Sequence, residues 1–341
     1  MKCIYKLAPE HTVVVSSPAP SEVFLGSPGI CVLDDGSIIA TMDYFCSRGS
    51  KFALNNQGCV FKSYDGGKSF HKKAEYPFYH ARPFVAGGRL YILGHHGDLK
   101  IISSDDGGES FGEVSSLTVG KKWHQAPSNY VYANGCIYLV MERAMYNDCR
   151  AWDVSTLAPV LMRARVEDDL TDASAWSFAS ELAFRDVVNH EAKNLFGVPF
   201  YKTEARENVD ICTEPVVRKC APEGWLETNV VQFTDSRHLW CDESGHTFHL
   251  FMRAHTGRTG YAAIMKVTEN ADGTMTTSTV KAPSGEDMIY IPFPGGQMKF
   301  HIIYDEKTKL YWLLGSQARD SMICPERMPP ERFGLPDNER Q

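Results

Sequence analysis

Two observations predict an all-β chain, a β-propeller of four-stranded blades: strand, tight turn and strand recur five times, and two Ser-x-Asp-x-Gly turns share one design. The first copy sets Ile30-Cys31-Val32-Leu33 and Ile38-Ile39-Ala40-Thr41 around Asp34-Asp35-Gly36-Ser37. An Asp-Gly pair between β-rich runs is a strong hairpin signal. The second spans 84–93 with its turn at Gly87-Gly88, and the third spans 130–140 with its turn at Asn134-Gly135. The fourth is looser, 230–251, turning near Glu243-Ser244-Gly245. The fifth runs from Phe300-His301-Ile302-Ile303-Tyr304 through Asp305-Glu306-Lys307 to Tyr311-Trp312-Leu313-Leu314. Starts roughly 45 to 100 residues apart suit four-stranded blades with variable loops. Helical periodicity is scarce; residues 176–188 are expected to form a turn or two of helix.

The remaining sequence bounds the chemistry. With 341 residues, 43% hydrophobic and 23% charged, the chain reads as one soluble domain, 1–341, able to fold without disulfides or a metal. The net charge of −7 is spread over both signs with no basic block, so neither nucleic acid nor an acidic membrane is an expected partner. Met1-Lys2-Cys3-Ile4-Tyr5-Lys6-Leu7 leads into no apolar stretch, which predicts a cytoplasmic protein. The ten cysteines include no Cys-x-x-Cys pair, and Cys212 and Cys220, the closest two, have no zinc-site surroundings. Free thiols are expected, and no motif implies a metal or an organic cofactor. The oligomeric state is left open.

The two Ser-x-Asp turns are Ser63-Tyr64-Asp65-Gly66-Gly67-Lys68-Ser69-Phe70 and Ser104-Asp105-Asp106-Gly107-Gly108-Glu109-Ser110-Phe111. The carboxylate is expected to accept backbone N–H bonds within a tight hairpin. The glycines take backbone angles that other residues resist, and the terminal aromatic packs between sheets. Each match falls where the two outer strands of a blade would lie. Ser63, Asp65, Gly67, Phe70, Ser104, Asp106, Gly108 and Phe111 are therefore structural residues.

These Asp boxes make the chain resemble the sialidase superfamily of usually six-bladed propellers. The resemblance implies a glycosidase acting on a terminal, acidic sugar. Sialidases open with an Arg-Ile-Pro motif, where this chain has Gly26-Ser27-Pro28-Gly29-Ile30, without the arginine. Their acid Asp precedes the first Asp box; here residues 48–56 hold no carboxylate. The fourth repeat is closer to the family. Glu227-Thr228-Asn229-Val230-Val231-Gln232 precedes Phe251-Met252-Arg253, and the resemblance implies that Glu227 activates a nucleophile and Arg253 grips a carboxylate. Ile291-Pro292-Phe293-Pro294-Gly295-Gly296 looks like the family's Pro-rich lead-in to a blade. No nucleophilic tyrosine is assigned. Residues 11–15 are expected as a closing strand, and the chain is expected to continue for about one more blade.

Propeller sites lie where inner strands and their lead-in loops converge. The candidates there are Glu227, Asp43, His124 and Glu142 for catalysis, and Arg253, Arg82, Lys299 and His255 for substrate binding. Each has a structural alternative: Asp43 as a turn cap or partner of Arg48, Arg82 as a brace, His124 as a satisfied histidine beside Trp123. Glu142 and Arg143 alternate on a strand, so one of them faces the site. His95-His96-Gly97-Asp98 reads as a turn rather than a metal site. Arginine forks suit a carboxylate, and a carboxylate pair or a histidine suits proton transfer. A carbohydrate ligand is thus expected. Two other functions stay open: a uronic-acid lyase using His124, Tyr79, Arg82 and Lys299, and a non-catalytic glycan- or protein-binding platform.

Overall fold

The computed structural model describes residues 10–46, 50–52, 54, 57–148, 153–188, 194–195, 198–199, 224–255, 261–296 and 298–316. Arg48, Cys212 and Cys220 lie outside them. The chain divides into two compact units, Met1–Thr118 and Val119–Gln341. The described residues are nearly all β, in antiparallel sheets.

The first unit holds two four-stranded meanders. One is β1 (Val23–Val32), β2 (Ile38–Cys46), β3 (Gln57–Ser63) and β4 (His71–Tyr76). The other is β5 (Tyr79–Ala86), β6 (Arg89–His96), β7 (Asp98–Ser104) and β8 (Ser115–Ser116). In the second unit, β9 (Trp123–His124) and β10 (Tyr130–Ala133) both pair with β11 (Cys136–Ala144), followed by β12 (Leu157–Arg165) and β13 (Ser177–Phe178). A small ladder joins β14 (Asn194–Leu195) to β15 (Val198–Pro199). The next meander is β16 (Gly224–Val231), β17 (Thr247–His255), β18 (Tyr261–Glu269) and β19 (Met275–Ser278). Then come the pair β20 (Val280–Lys281) and β21 (Asp287–Met288), β22 (Tyr290–Pro292) on the edge of β18, and the hairpin of β23 (Phe300–Asp305) and β24 (Leu310–Gly315).

All five expected hairpins form. Their turns work as the sequence implies: Gly87 and Gly88, and Asn134 and Gly135, all take positive φ, as a two-residue hairpin turn demands. The second strands β2, β6 and β11 are buried on both faces, which is why they read as unbroken apolar runs. In the first unit, Ile39, Val60, Tyr76, Phe78, Leu90 and Ile92 share one core. In the second, Tyr138, Leu161, Trp225, Phe248, Leu250 and Met265 share another. Tyr138 stacks on Phe248 at 4.1 Å between centroids.

The two Ser-x-Asp turns sit between third and fourth strands, β3–β4 and β7–β8. Asp65 Oδ1 accepts from the N–H groups of Lys68 and Ser69, each at 2.9 Å, and from Ser63 Oγ at 2.8 Å. Asp106 Oδ1 repeats this with Glu109 N–H at 3.0 Å, Ser110 N–H at 2.9 Å and Ser104 Oγ at 2.7 Å. The hydroxyls of Ser69 and Ser110 lead in holding both carboxyls well below the ordinary range. Phe111 packs on the core shared by the first unit's two sheets, while Phe70 packs on the first sheet's own cluster.

One expectation is corrected. Residues 11–15 form no strand; Val14 and Val15 lie half-buried against the first sheet's cluster, so their apolar side chains are used in packing rather than pairing. The helical turn expected within residues 176–188 forms as α1, Phe184–Val187, while Ser177–Phe178 pairs with β12. Among the described residues Cys31, Cys46, Cys59, Cys136 and Cys241 are free thiols.

Candidate active site

One irregularity recurs in three first strands. In β1, Gly26 pairs with Asp43, and the next pair is Gly29 with Thr41. In β5, Tyr79 pairs with His95, then Arg82 with Leu93. In β16, Leu226 pairs with Arg253, then Asn229 with Phe251. Each first strand thus carries one extra residue, a β-bulge that re-aims a side chain. The residue after the last regular pair is left-handed every time: Ser27 at φ 51°, His80 at 56° and Glu227 at 58°. A left-handed non-glycine residue costs roughly 1–2 kcal/mol, so packing must impose it. The β9–β10 segment interrupts its ladder at the same place: His124 pairs with Glu142, and the ladder resumes with Tyr130 opposite Leu139. The same position on the four second strands is therefore filled by Asp43, His95, Glu142 and Arg253.

In the second unit these positions form a polar cluster. His124 Nδ1 lies 3.2 Å from Glu142 Oε2. A carboxylate can only accept, so Nδ1–H is the donor. The Glu142 side chain is fully buried, while His124 keeps 22% of its side chain in solvent. Burial alone would lower the His124 pKa. The hydrogen bond and charge of Glu142, with Asp153 and Glu227 adding to them, carry it above the ordinary value instead. The second Glu142 oxygen, Oε1, accepts from the Thr228 N–H at 3.0 Å and from Thr228 Oγ1 at 2.8 Å. Next to Thr228, Glu227 turns its carboxylate to Arg253, whose Nη1 stands 3.4 Å from Oε1 and 3.3 Å from Oε2. Both side chains are mostly buried, with 10% of Glu227 and 18% of Arg253 exposed. Arg143 points the other way, to Glu181 at 2.7 Å, as strand alternation requires.

Of the sequence-derived candidates, the structure brings together His124, Glu142, Glu227 and Arg253. His255 ends β17 opposite Gly224. Lys299 is half-buried one residue before β23. Asp43 and Arg82 belong to the first unit and are both buried. There Asp43 Oδ2 accepts the His80 N–H at 2.6 Å, and His80 Nδ1 meets His95 Nε2 at 3.1 Å. Tyr79 packs on both rings. Among the described residues no three His, Cys, Asp or Glu side chains are placed to share a metal.

Sequence reasoning missed the residues that fasten this framework. Asn129 donates to the carbonyls of Val230 at 2.7 Å and Ile302 at 2.9 Å, and accepts from the Val230 N–H at 2.8 Å. Asn229 donates to the Phe300 carbonyl at 3.1 Å and accepts from the Ile302 N–H at 3.0 Å. Gln125 and Ser128 both donate to the Thr228 carbonyl. A signal existed: Asn129-Tyr130-Val131 and Asn229-Val230-Val231 place an Asn at the same point of two repeats.

No protein-family model matches the chain, and no curated protein matches it. Among solved structures it is similar to an alpha-L-arabinanase of Penicillium chrysogenum complexed with arabinobiose, at 9% identity and a TM-score of 0.43, covering 87% of this chain and 76% of that one. It is also similar to a protein of unknown function from Dyadobacter fermentans, at 12% and 0.49, covering 89% and 82%. A Hadza microbial sialidase gives 12% and 0.41, covering 82% of this chain and half, 50%, of that one.

Proposed function

We propose that the chain is a glycoside hydrolase-like enzyme on a β-propeller framework, acting on a terminal sugar at the cluster around Glu227. One observation carries the reading: a carboxylate on a left-handed bulge, facing an arginine, beside a histidine poised to hold a proton. Backbone strain of that kind persists where a side chain is needed in one direction.

The roles follow from chemistry. His124 has a raised proton affinity and an exposed edge, so it protonates the departing glycosidic oxygen. Glu227, kept facing Arg253, stabilises positive charge at the sugar's anomeric carbon or directs water to it. Arg253 faces Glu227, and a guanidinium matches a carboxylate in bidentate fashion, so the site also suits a sugar bearing a carboxylate. A uronate lyase would need His124 neutral to take a proton; a raised pKa favours proton donation and hence hydrolysis.

A panel of aryl glycosides of acidic and neutral sugars, with uronate oligosaccharides, tests this. Phenol release supports hydrolysis, and preference for acidic sugars supports the Arg253 role. A gain in near-ultraviolet absorbance without phenol would replace the reading with the lyase. Binding without turnover would replace it with a glycan-binding platform.

A further inference from the structure

We propose that Glu142 is a positioning residue, a two-armed brace that ties His124 and the bulge carrying Glu227 into one unit. Its two oxygens reach two different sheets. Oε2 meets His124, which pairs with its own strand. Oε1 crosses to β16 and takes both the N–H and the hydroxyl of Thr228.

The carboxyl has no exposed surface, so it cannot itself touch a substrate. The residue it grips is fixed on every polar atom: Gln125 and Ser128 hold the Thr228 carbonyl at 3.0 and 2.5 Å. Thr228 directly follows Glu227, so fastening its peptide fixes one side of the left-handed residue. The first unit repeats the device independently. There the buried carboxylate of Asp43, at the matching position of β2, holds the N–H of left-handed His80 in β5. In both units a second-strand carboxylate thus braces the bulge of another sheet's first strand.

Among the charged groups acting on the His124 ring are Glu142, Asp153 and Glu227. Two near-isosteric variants separate the arms. In Glu142→Gln the amide oxygen still accepts the Thr228 N–H, but the charge beside His124 is gone. The His124 midpoint, followed by NMR of the imidazole, should fall by about one unit or more. In Thr228→Val the charge and the N–H bond to Oε1 stay, and only the hydroxyl bond of that arm is lost. Here the midpoint should hold, while exchange of the residue-228 amide should rise roughly tenfold or more. Where a substrate has been found, the activity arm rests on the reading of Glu227 above: kcat should fall in Thr228→Val with KM little changed.

An unaltered His124 midpoint in folded Glu142→Gln would overturn the proposal. So would wild-type exchange at position 228 in Thr228→Val, which decides alone if Glu142→Gln does not fold. Both NMR readouts need no turnover, so they stand apart from any failure of the hydrolase reading.

Discussion

A histidine resting on a fully buried carboxylate makes the molecule's stability follow pH in a definite direction. The folded pKa of His124 lies above its unfolded value near 6.5. Its contribution is therefore complete below about pH 6.5 and fades as pH rises through the folded pKa. Melting temperatures of wild type and His124→Gln should differ most at mildly acid pH and converge as pH rises. His249 has the opposite sign. Burial first, then the charge of Lys266, pushes it down to about 3. It stacks on Trp240 at 5.1 Å and meets Phe233 edge-on at 5.2 Å, where a charge is costly. The unfolded chain protonates this histidine first, so its effect destabilises the fold as pH drops from about 6.5 towards 3, by roughly 1.4 kcal/mol per pH unit. Replacing it with phenylalanine should flatten that part of the acid-unfolding curve; an unchanged curve would show that His249 is not the group responsible.

At the scale of elements, the joints between sheets matter more than the strands. Asn129 and Asn229 each replace a stretch of backbone ladder with one side chain that both donates and accepts. Changing either to leucine strands buried backbone groups, at a cost of roughly 2–4 kcal/mol by denaturant titration. Gly108→Ala should also destabilise: at φ 89° its new methyl would stand 2.9 Å from Ile39 Cδ1 and 3.1 Å from Leu90 Cδ2. Asp65→Ala and Asp106→Ala should lower the melting temperature while leaving turnover unchanged, because those carboxyls serve only their own turns. The hairpins were legible because turn chemistry is local: Asn134-Gly135 and Gly87-Gly88 need no distant partner to bend. The bulges were not. His80 and Glu227 are not turn formers, and tertiary packing imposes their left-handed angles. At the bulge that carries Ser27, Gly29 lies so close to β5 of the neighbouring sheet that a Cβ would stand 2.6 Å from Pro83 Cδ. In the 176–188 segment the local helical signal is met by the single turn Phe184–Val187, while Phe178 pairs with Met162.

Among the described residues, one plan is repeated four times: a four-strand meander in which the second strand offers a polar residue at a fixed register. The sequence exposed this plan in outline, since Asp43, Glu142 and Arg253 stood out as polar residues ending apolar runs. It could not show which of them touch solvent. Glu142 and Asp43 turned out to be fully buried, and that distinction depends on neighbouring sheets rather than on spacing. His95 was passed over because it sits inside a turn-like string, yet it occupies the same register position. Glu227 is the residue on which the functional reading turns, and its direct test is chemical rescue. Glu227→Ala should fold with a lowered melting temperature because Arg253 loses its buried partner, lose roughly 10²–10⁴-fold in release of phenol from the best aryl glycoside, and regain part of that rate with added azide. Turnover in Glu227→Ala equal to wild type would contradict the assignment of this bulge as the reacting centre.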